Sequence, residues 1–385
     1  MKIVADENMP LVRELFSPYG EVEVFPGREL GPDHVKDAAA LLVRSVTKVD
    51  AGLLANSSVR FVGSATIGMD HMDLNYLRQQ GIQFANAPGC NANAVVQYVL
   101  SVLFRLRLGW QQQTIGIIGC GNVGGRLYQI LQKLGVNCRC YDPFISDVDC
   151  PDLVSFDEVI QSDILCLHTP LTTDGPYPTF HLFDEHTLSQ LAPNTLLINA
   201  GRGAVVDNQA LLNLLQQRPL QVALDVWEGE PDILLPLLER VDIATPHIAG
   251  YSYDGKVNGT TMIRDAFCDW LEESVFQADA DQEPLIALDV ASLSEAVLAT
   301  FDVEKENQRM RKALLTDRAD VSHSFDLLRK NCPKRLEFHH FTVSIGNVPS
   351  NNASTNNAST SSVSNSVETI AAKSMMALGF RVDGT

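Results

Sequence analysis

An apolar strand that runs directly into a glycine turn and then a helix constrains this chain more than any other feature. TIGIIGCGNVGG sets Gly119, Gly121 and Gly124 in G-x-G-x-x-G spacing, and the amphipathic stretch RLYQILQKL follows at once. The spacing alone is weak, but here it has a strand before it and a helix after it. The first glycine makes the turn, the second lets backbone approach a pyrophosphate, and the third lets helix pack on strand. The helix N-terminus then offers its N–H groups to the anion. The next strand, VNCRCYD, ends at Asp142, which is 142 − 124 = 18 residues past the last glycine. A carboxylate near that position takes the ribose hydroxyls of a dinucleotide and repels a 2′-phosphate. NAD is therefore the expected cofactor, with nearby Arg139 the one opposing charge.

The turn sits inside a longer rhythm. Residues 1–90 alternate apolar runs and helical patterns (KIVAD, PLVRELFSPYG, VEVF, DAAALLVRS, VRFVGSA), and NANAVVQYVLSVLFRLRL predicts a long, largely buried helix. After it, eight further segments from TIGIIG to VDIATPH alternate again, the pattern of a doubly wound parallel sheet. We expect an α/β protein with two Rossmann-like doubly wound domains and a C-terminal α+β domain. The expected boundaries are 1–92 with 252–280 for the first domain, 93–251 for the NAD-binding Rossmann domain, and 281–385 for the C-terminal domain. The Ser/Asn tract at 349–366 reads as a flexible loop, and QADADQEP near 277–284 as a linker.

Charge narrows the partners. Lys and Arg total 29 against 47 Asp and Glu, a net −18, which disfavours nucleic acid and anionic bilayers as ligands. The first residues lack a basic flank and an apolar core, and no apolar run of about 18 residues follows. A cytoplasmic location is expected. The eight cysteines lie mostly in strand-like stretches without paired C-x-x-C spacing, so reduced core thiols and no metal site are expected.

Three polar residues fall at ends of predicted strands: Arg202 in NAGRGAVVD, Glu230 in DVWEGEP and His247 in TPHIAG. Ligands of open α/β sheets bind at the carboxyl ends of strands. There an Arg can grip a carboxylate in two-pronged fashion, a His can take a hydroxyl proton as hydride leaves, and a Glu can orient the imidazole. That set suits oxidation of a 2-hydroxy acid. Singly, each residue has a plain structural alternative, and Glu228 is a second candidate for the acid; jointly, at strand ends of a nucleotide fold, the catalytic reading is favoured.

GCGNVGG, HTPLT, NAGRGAVVD, DVWEGEP and TPHIAG together resemble the D-isomer-specific 2-hydroxyacid dehydrogenase family. KIVADENMP, VRSVTKV, FVGSATIGMDHMD and the extension carrying RLEFHHFTVS and ALGFRV extend the resemblance over nearly the whole chain, apart from the Ser/Asn tract. They narrow it to a branch acting on a small phosphorylated 2-hydroxy acid. The resemblance implies catalytic roles for Arg202, Glu230 and His247. It implies substrate contacts at Ser45, Thr66 and Tyr251, and a dinucleotide lined by Asn122, Val123, Asp142, Thr169, Ala200, Gly201, Arg202, Asp225 and Gly250. It also implies a homodimer joined through the C-terminal domain. Ile67, Met69 and Gln97 depart from the family pattern. A dehydrogenase of another 2-hydroxy acid, such as 3-phosphoglycerate, and a dinucleotide-sensing interaction protein are the rival readings.

Overall fold

The computed structural model describes residues 1–276, 283–316, 320–345 and 360–383, with side chains of the last stretch described from 369 onward. The chain packs as two compact units, Met1–Ala92 with Tyr251–Glu283, and Asn93–Gly250 with Pro284–Thr385.

The first unit is built on a five-stranded sheet of β1 (Lys2–Asp6), β2 (Glu21–Phe25), β3 (Ala40–Val43), β4 (Phe61–Ser64) and β5 (Gln83–Asn86), ordered β2-β1-β3-β4-β5. All its pairings are parallel. β3 and β4 are buried at every position, which is why ALLV reads as an unbroken apolar run, and FVGS as apolar up to Ser64, and not as alternation. Helix Tyr253–Leu271 closes one face. Its N-cap Ser252 accepts the Gly255 N–H, and its Phe267 ring sits 5.5 Å from Phe16 and 5.2 Å from Phe61. Phe267 is fully buried; its truncation to Ala would cost about 3–5 kcal/mol.

The second unit carries β6 (Ile115–Ile118), β7 (Cys138–Tyr141), β8 (Ile164–Leu167), β9 (Leu196–Asn199), β10 (Gln221–Leu224) and β11 (Ile243–Ala244), ordered β11-β10-β9-β8-β6-β7. Every pairing is again parallel, and Leu153 adds a parallel bridge to Cys140 at the β7 edge. Counting that bridge, the order is third-second-first-fourth-fifth-sixth-seventh, so the topology reverses at β6. A ligand crevice opens outside the carboxyl ends of strands at such a reversal. Helix Ala92–Leu106 is buried along much of its length, through Tyr98, Val99, Leu100, Val102 and Leu103.

The C-terminal stretch forms a small parallel sheet of β12 (Ile286–Val290), β13 (Phe341–Ile345) and β14 (Arg381–Val382). It shares cores with the nucleotide sheet: Val290, Phe341, Val343, Met375 and Phe380 cluster with Ile115, Leu127 and Leu131, while Met310, Leu314 and Phe325 cluster with Leu224 and Leu237. One expectation needs correcting. The loop expected over 349–366 falls partly outside the described residues, yet its last residues, 360–366, already belong to helix Thr360–Leu378. Ser and Thr are weak helix formers but not breakers, and the buried Met375 and Leu378 anchor the far end of that helix. The linker expected at 277–284 lies mostly outside the described residues. The eight cysteines, all among the described residues, are free thiols, six of them buried.

Candidate active site

The glycine turn has the geometry that dinucleotide binding needs. Gly119 follows β6 with φ 87°, and helix Asn122–Lys133 begins immediately after Gly121. A Cβ on Gly124 would lie 1.9 Å from the Gly119 carbonyl oxygen, so only glycine lets the helix start this close to the strand. Around Gly121 the space is open, and a Cβ there would meet nothing within 4 Å. Asn122 is exposed there, while Val123 packs on the core. Across the turn, at the end of β8, the Thr169 hydroxyl and both ring nitrogens of His168 are buried with no partner among the described residues. Burial drops the His168 imidazole to about 4, so it is neutral. Orphaned donors and acceptors beside an open glycine cradle fit a bound dinucleotide.

Asp142 stands past the end of β7. Its Oδ2 accepts the Cys120 N–H at 2.9 Å and its Oδ1 accepts the Phe144 N–H at 3.0 Å, which fixes the carboxylate next to the turn. Arg139, the residue that opposed NAD in the sequence, donates to the Glu158 carbonyl.

The Ala200–Gly201–Arg202 run follows β9 and is braced from beneath. Asn199, fully buried, donates from Nδ2 to the Arg202 carbonyl at 3.0 Å and accepts the Gly201 N–H at 3.1 Å. Gly203 comes next, and a Cβ there would fall 2.0 Å from the Trp227 carbonyl. The Arg202 loop and the loop leading to Glu230 therefore touch backbone to backbone.

Glu230 and His247 meet. Glu230 Oε1 is hydrogen-bonded to His247 Nδ1, and Glu230 Oε2 accepts the Trp227 N–H at 3.1 Å. Burial pushes the Glu230 carboxyl up, but His247 and the hydrogen bonds outweigh it and leave it below its ordinary value. His247 itself has φ 56°, a left-handed conformation rare for a residue with a Cβ. Glu228, the rival acid, is engaged elsewhere: it bonds His181 Nε2 at 2.7 Å and accepts the Asn208 N–H at 3.1 Å.

Asp225 turns out to be the internal prop of the His247 loop. Its Oδ1 accepts from the Thr245 hydroxyl (2.7 Å) and the Ile248 N–H (2.8 Å), and its Oδ2 accepts the Ala249 N–H (2.9 Å). Desolvation by burial raises its carboxyl. Neither this bracing nor the His181–Glu228 pair carries a signal in the residue pattern. Gly250 closes the same loop, half-buried.

In the first unit, Ser45 and Thr66 lie just beyond the carboxyl ends of the adjacent strands β3 and β4. Ser45 is exposed. Thr66 joins a chain in which its hydroxyl meets Ser64 Oγ at 2.8 Å and Ser64 Oγ meets His71 Nε2 at 3.0 Å. Tyr251 precedes helix Tyr253–Leu271, with Lys256 Nζ 5.3 Å from its ring centroid. Nearby Arg44 donates to the Ala65 carbonyl and Lys48 pairs with Asp50.

The family described as "D-isomer specific 2-hydroxyacid dehydrogenase, NAD binding domain" matches residues 104–249, and a domain of unknown function, DUF3410, matches 284–358. Erythronate-4-phosphate dehydrogenase of Cellvibrio japonicus (strain Ueda107) is 49% identical over 360 residues, covering 90% of this chain and 95% of that protein. The chain belongs to the erythronate-4-phosphate dehydrogenase family. A second family member, from Teredinibacter turnerae, is 45% identical over 362 residues, covering 91% of this chain and 97% of that protein. Among solved structures, 3-phosphoglycerate dehydrogenase of Entamoeba histolytica with bound NAD superposes with a TM-score of 0.61 at 24% identity, over 73% of this chain and 99% of that one. D-lactate dehydrogenase of Aquifex aeolicus gives 0.60 at 22%, over 70% and 95%. These two share the fold, whereas the erythronate-4-phosphate dehydrogenases match nearly end to end.

Proposed function

We propose that this protein oxidises 4-phospho-D-erythronate at C2 to 2-oxo-3-hydroxy-4-phosphobutanoate with NAD, a step of pyridoxal 5′-phosphate biosynthesis. The Glu230–His247 pair carries the reading: it is an acid/base device at the strand ends of a nucleotide fold, in a chain 49% identical to a named erythronate-4-phosphate dehydrogenase. Gly119, Gly121, Asn122, Val123, Gly124, Asp142, Thr169, Ala200, Gly201, Arg202, Asp225 and Gly250 would hold the dinucleotide, which when bound accepts the hydride.

The chain's own residues do the rest. Glu230 at Nδ1 fixes the tautomer of His247, so Nε2 carries the lone pair that takes the C2 hydroxyl proton. The imidazolium formed is stabilised by the same carboxylate. Arg202 grips the substrate carboxylate, and Ser45, Thr66 and Tyr251 supply hydroxyls to the substrate's anionic groups. One alcohol and one oxidised nicotinamide give one ketone, one reduced nicotinamide and one proton.

Purified protein should form NADH from 4-phosphoerythronate, and not comparably from 3-phosphoglycerate or D-lactate. Cofactor binding without turnover of any hydroxy acid would instead favour a dinucleotide-sensing role. We further propose a cytoplasmic homodimer. No helix among the described residues is long and apolar enough to cross a membrane. In the C-terminal stretch Leu285, Ile286, Ile370 and Met376 are exposed, apolar surface that a second copy would cover. Light scattering should report a dimer, and a dimer unchanged by I370D with M376D would overturn this assignment.

A further inference from the structure

Residue Arg335, in the stretch matched by the domain of unknown function, is buried to 5% exposure. One of its nitrogens, Nη2, donates to the Ala249 carbonyl and, at 3.2 Å, to the Ala94 carbonyl. Its guanidinium carbon lies 4.3 Å from the Phe301 ring centroid. Its Nε and Nη1 are buried without a partner among the described residues. A guanidinium taken out of water, with no carboxylate among the described residues bonded to it, is costly. Packing alone would be served at lower cost by Leu or Met, so the donor end is the part that needs explaining.

What it grips is the loop that carries the acid/base histidine. At the other end of that loop the Ala244 N–H donates to Asn307 Oδ1 at 3.0 Å, and Asn307 lies on helix Val303–Thr316 of the same C-terminal stretch. Between these two holds, Trp227 Nε1 donates to the Thr245 carbonyl, and Tyr98 donates to the Thr245 hydroxyl, whose own proton goes to Asp225. His247 needs such holds. A non-glycine residue at φ 56° persists only where its surroundings over-determine it. Gln97 donates to the Leu336 carbonyl and the Thr300 hydroxyl, and so anchors Arg335's neighbour.

We infer that the C-terminal stretch is a catalytic brace, in which Arg335, with Asn307, is a positioning residue that keeps His247 in its left-handed conformation against Glu230. This rests on the acid/base role proposed for His247. The test uses the full chain with Arg335→Met and Arg335→Lys. Hydrogen exchange read over residues 245–251 should accelerate about tenfold at the Ile248 and Ala249 amides in R335M. kcat should fall roughly 10- to 100-fold, with KM for NAD little changed. R335K, which keeps one donor, should recover part of both. Folded R335M with unchanged exchange and kcat would overturn the proposal, as would a loss of NAD affinity equal to the loss in kcat. If R335M does not fold, F301L removes the ring under the guanidinium; faster exchange in the loop supports the brace and unchanged exchange overturns it. The exchange measurement needs no substrate, so an inactive wild type would sink the proposed reaction and leave the brace to be decided separately.

Discussion

Glu230 holds His247 by Nδ1 while its second oxygen is pinned by the Trp227 N–H, so the carboxylate cannot swing away without breaking a backbone contact. Replacing Glu230 by Gln keeps the shape and removes the charge. kcat should fall about 10²- to 10⁴-fold with little change in thermal stability, measured as NADH formation under saturating NAD. Activity within threefold of wild type would place the acid/base function elsewhere.

Asp142 is aimed at the glycine turn by the Cys120 and Phe144 amides. D142G should raise KM for NAD by roughly tenfold, the loss of one charge-assisted hydrogen bond. The same change should narrow the preference over NADP, because the repelling carboxylate is gone. Steady-state kinetics with both cofactors decide it, and an unaltered NAD/NADP ratio would remove Asp142 from the ribose site.

Gly203 lets the Arg202 loop rest on the Trp227–Glu228 backbone. In G203A something must shift, since the obstacle is the main chain of Trp227 and Glu228. Turnover should fall by at least about tenfold as Arg202 and Glu230 move apart, and the melting temperature should drop. A variant with wild-type kcat and melting temperature would show that the two loops are independently placed.

Two histidines set an acid limit on stability. Burial lowers His71 to about 4 and His168 to about 4, both from 6.5. Between those values the unfolded chain binds protons that the folded chain refuses, so stability is full above pH 6.5 and is lost as pH falls towards 4. Urea midpoints taken across this window should decline, and the decline should be shallower in H71Q, where one of the two groups is gone. A slope identical to wild type would mean that His71 titrates normally in the fold.

Much of this molecule is written locally. The glycine turn, the buried apolar strands and the long helix at 92–106 each depend on residues close in sequence, and those parts were legible. Arg202, Glu230 and His247 stood out because strand ends and residue chemistry coincide there. Asp225 was legible only as a family position. Its three bonds to Thr245, Ile248 and Ala249 depend on how a loop some twenty residues later folds back. Arg335 was legible only as the first residue of the RLEFHHFTVS motif, with no role attached, because a basic residue reads as surface until the fold places a carbonyl 86 residues away against it. The start of helix Thr360–Leu378 inside a Ser/Asn tract was hidden for the opposite reason, as the local composition pointed away from the anchor supplied by Met375 and Leu378.

The division of the first unit between Met1–Ala92 and Tyr251–Glu283 sets an order of events on the ribosome. Phe16 and Phe61 emerge early but wait for Phe267, some two hundred residues later, to cover them. The nucleotide sheet waits in turn for Phe341 and Phe380. Domains whose strands are made before their covers stay exposed to aggregation during synthesis. This chain should therefore depend on chaperones while nascent and become protease-resistant only near completion, a schedule that ribosome-arrested fragments of increasing length would expose.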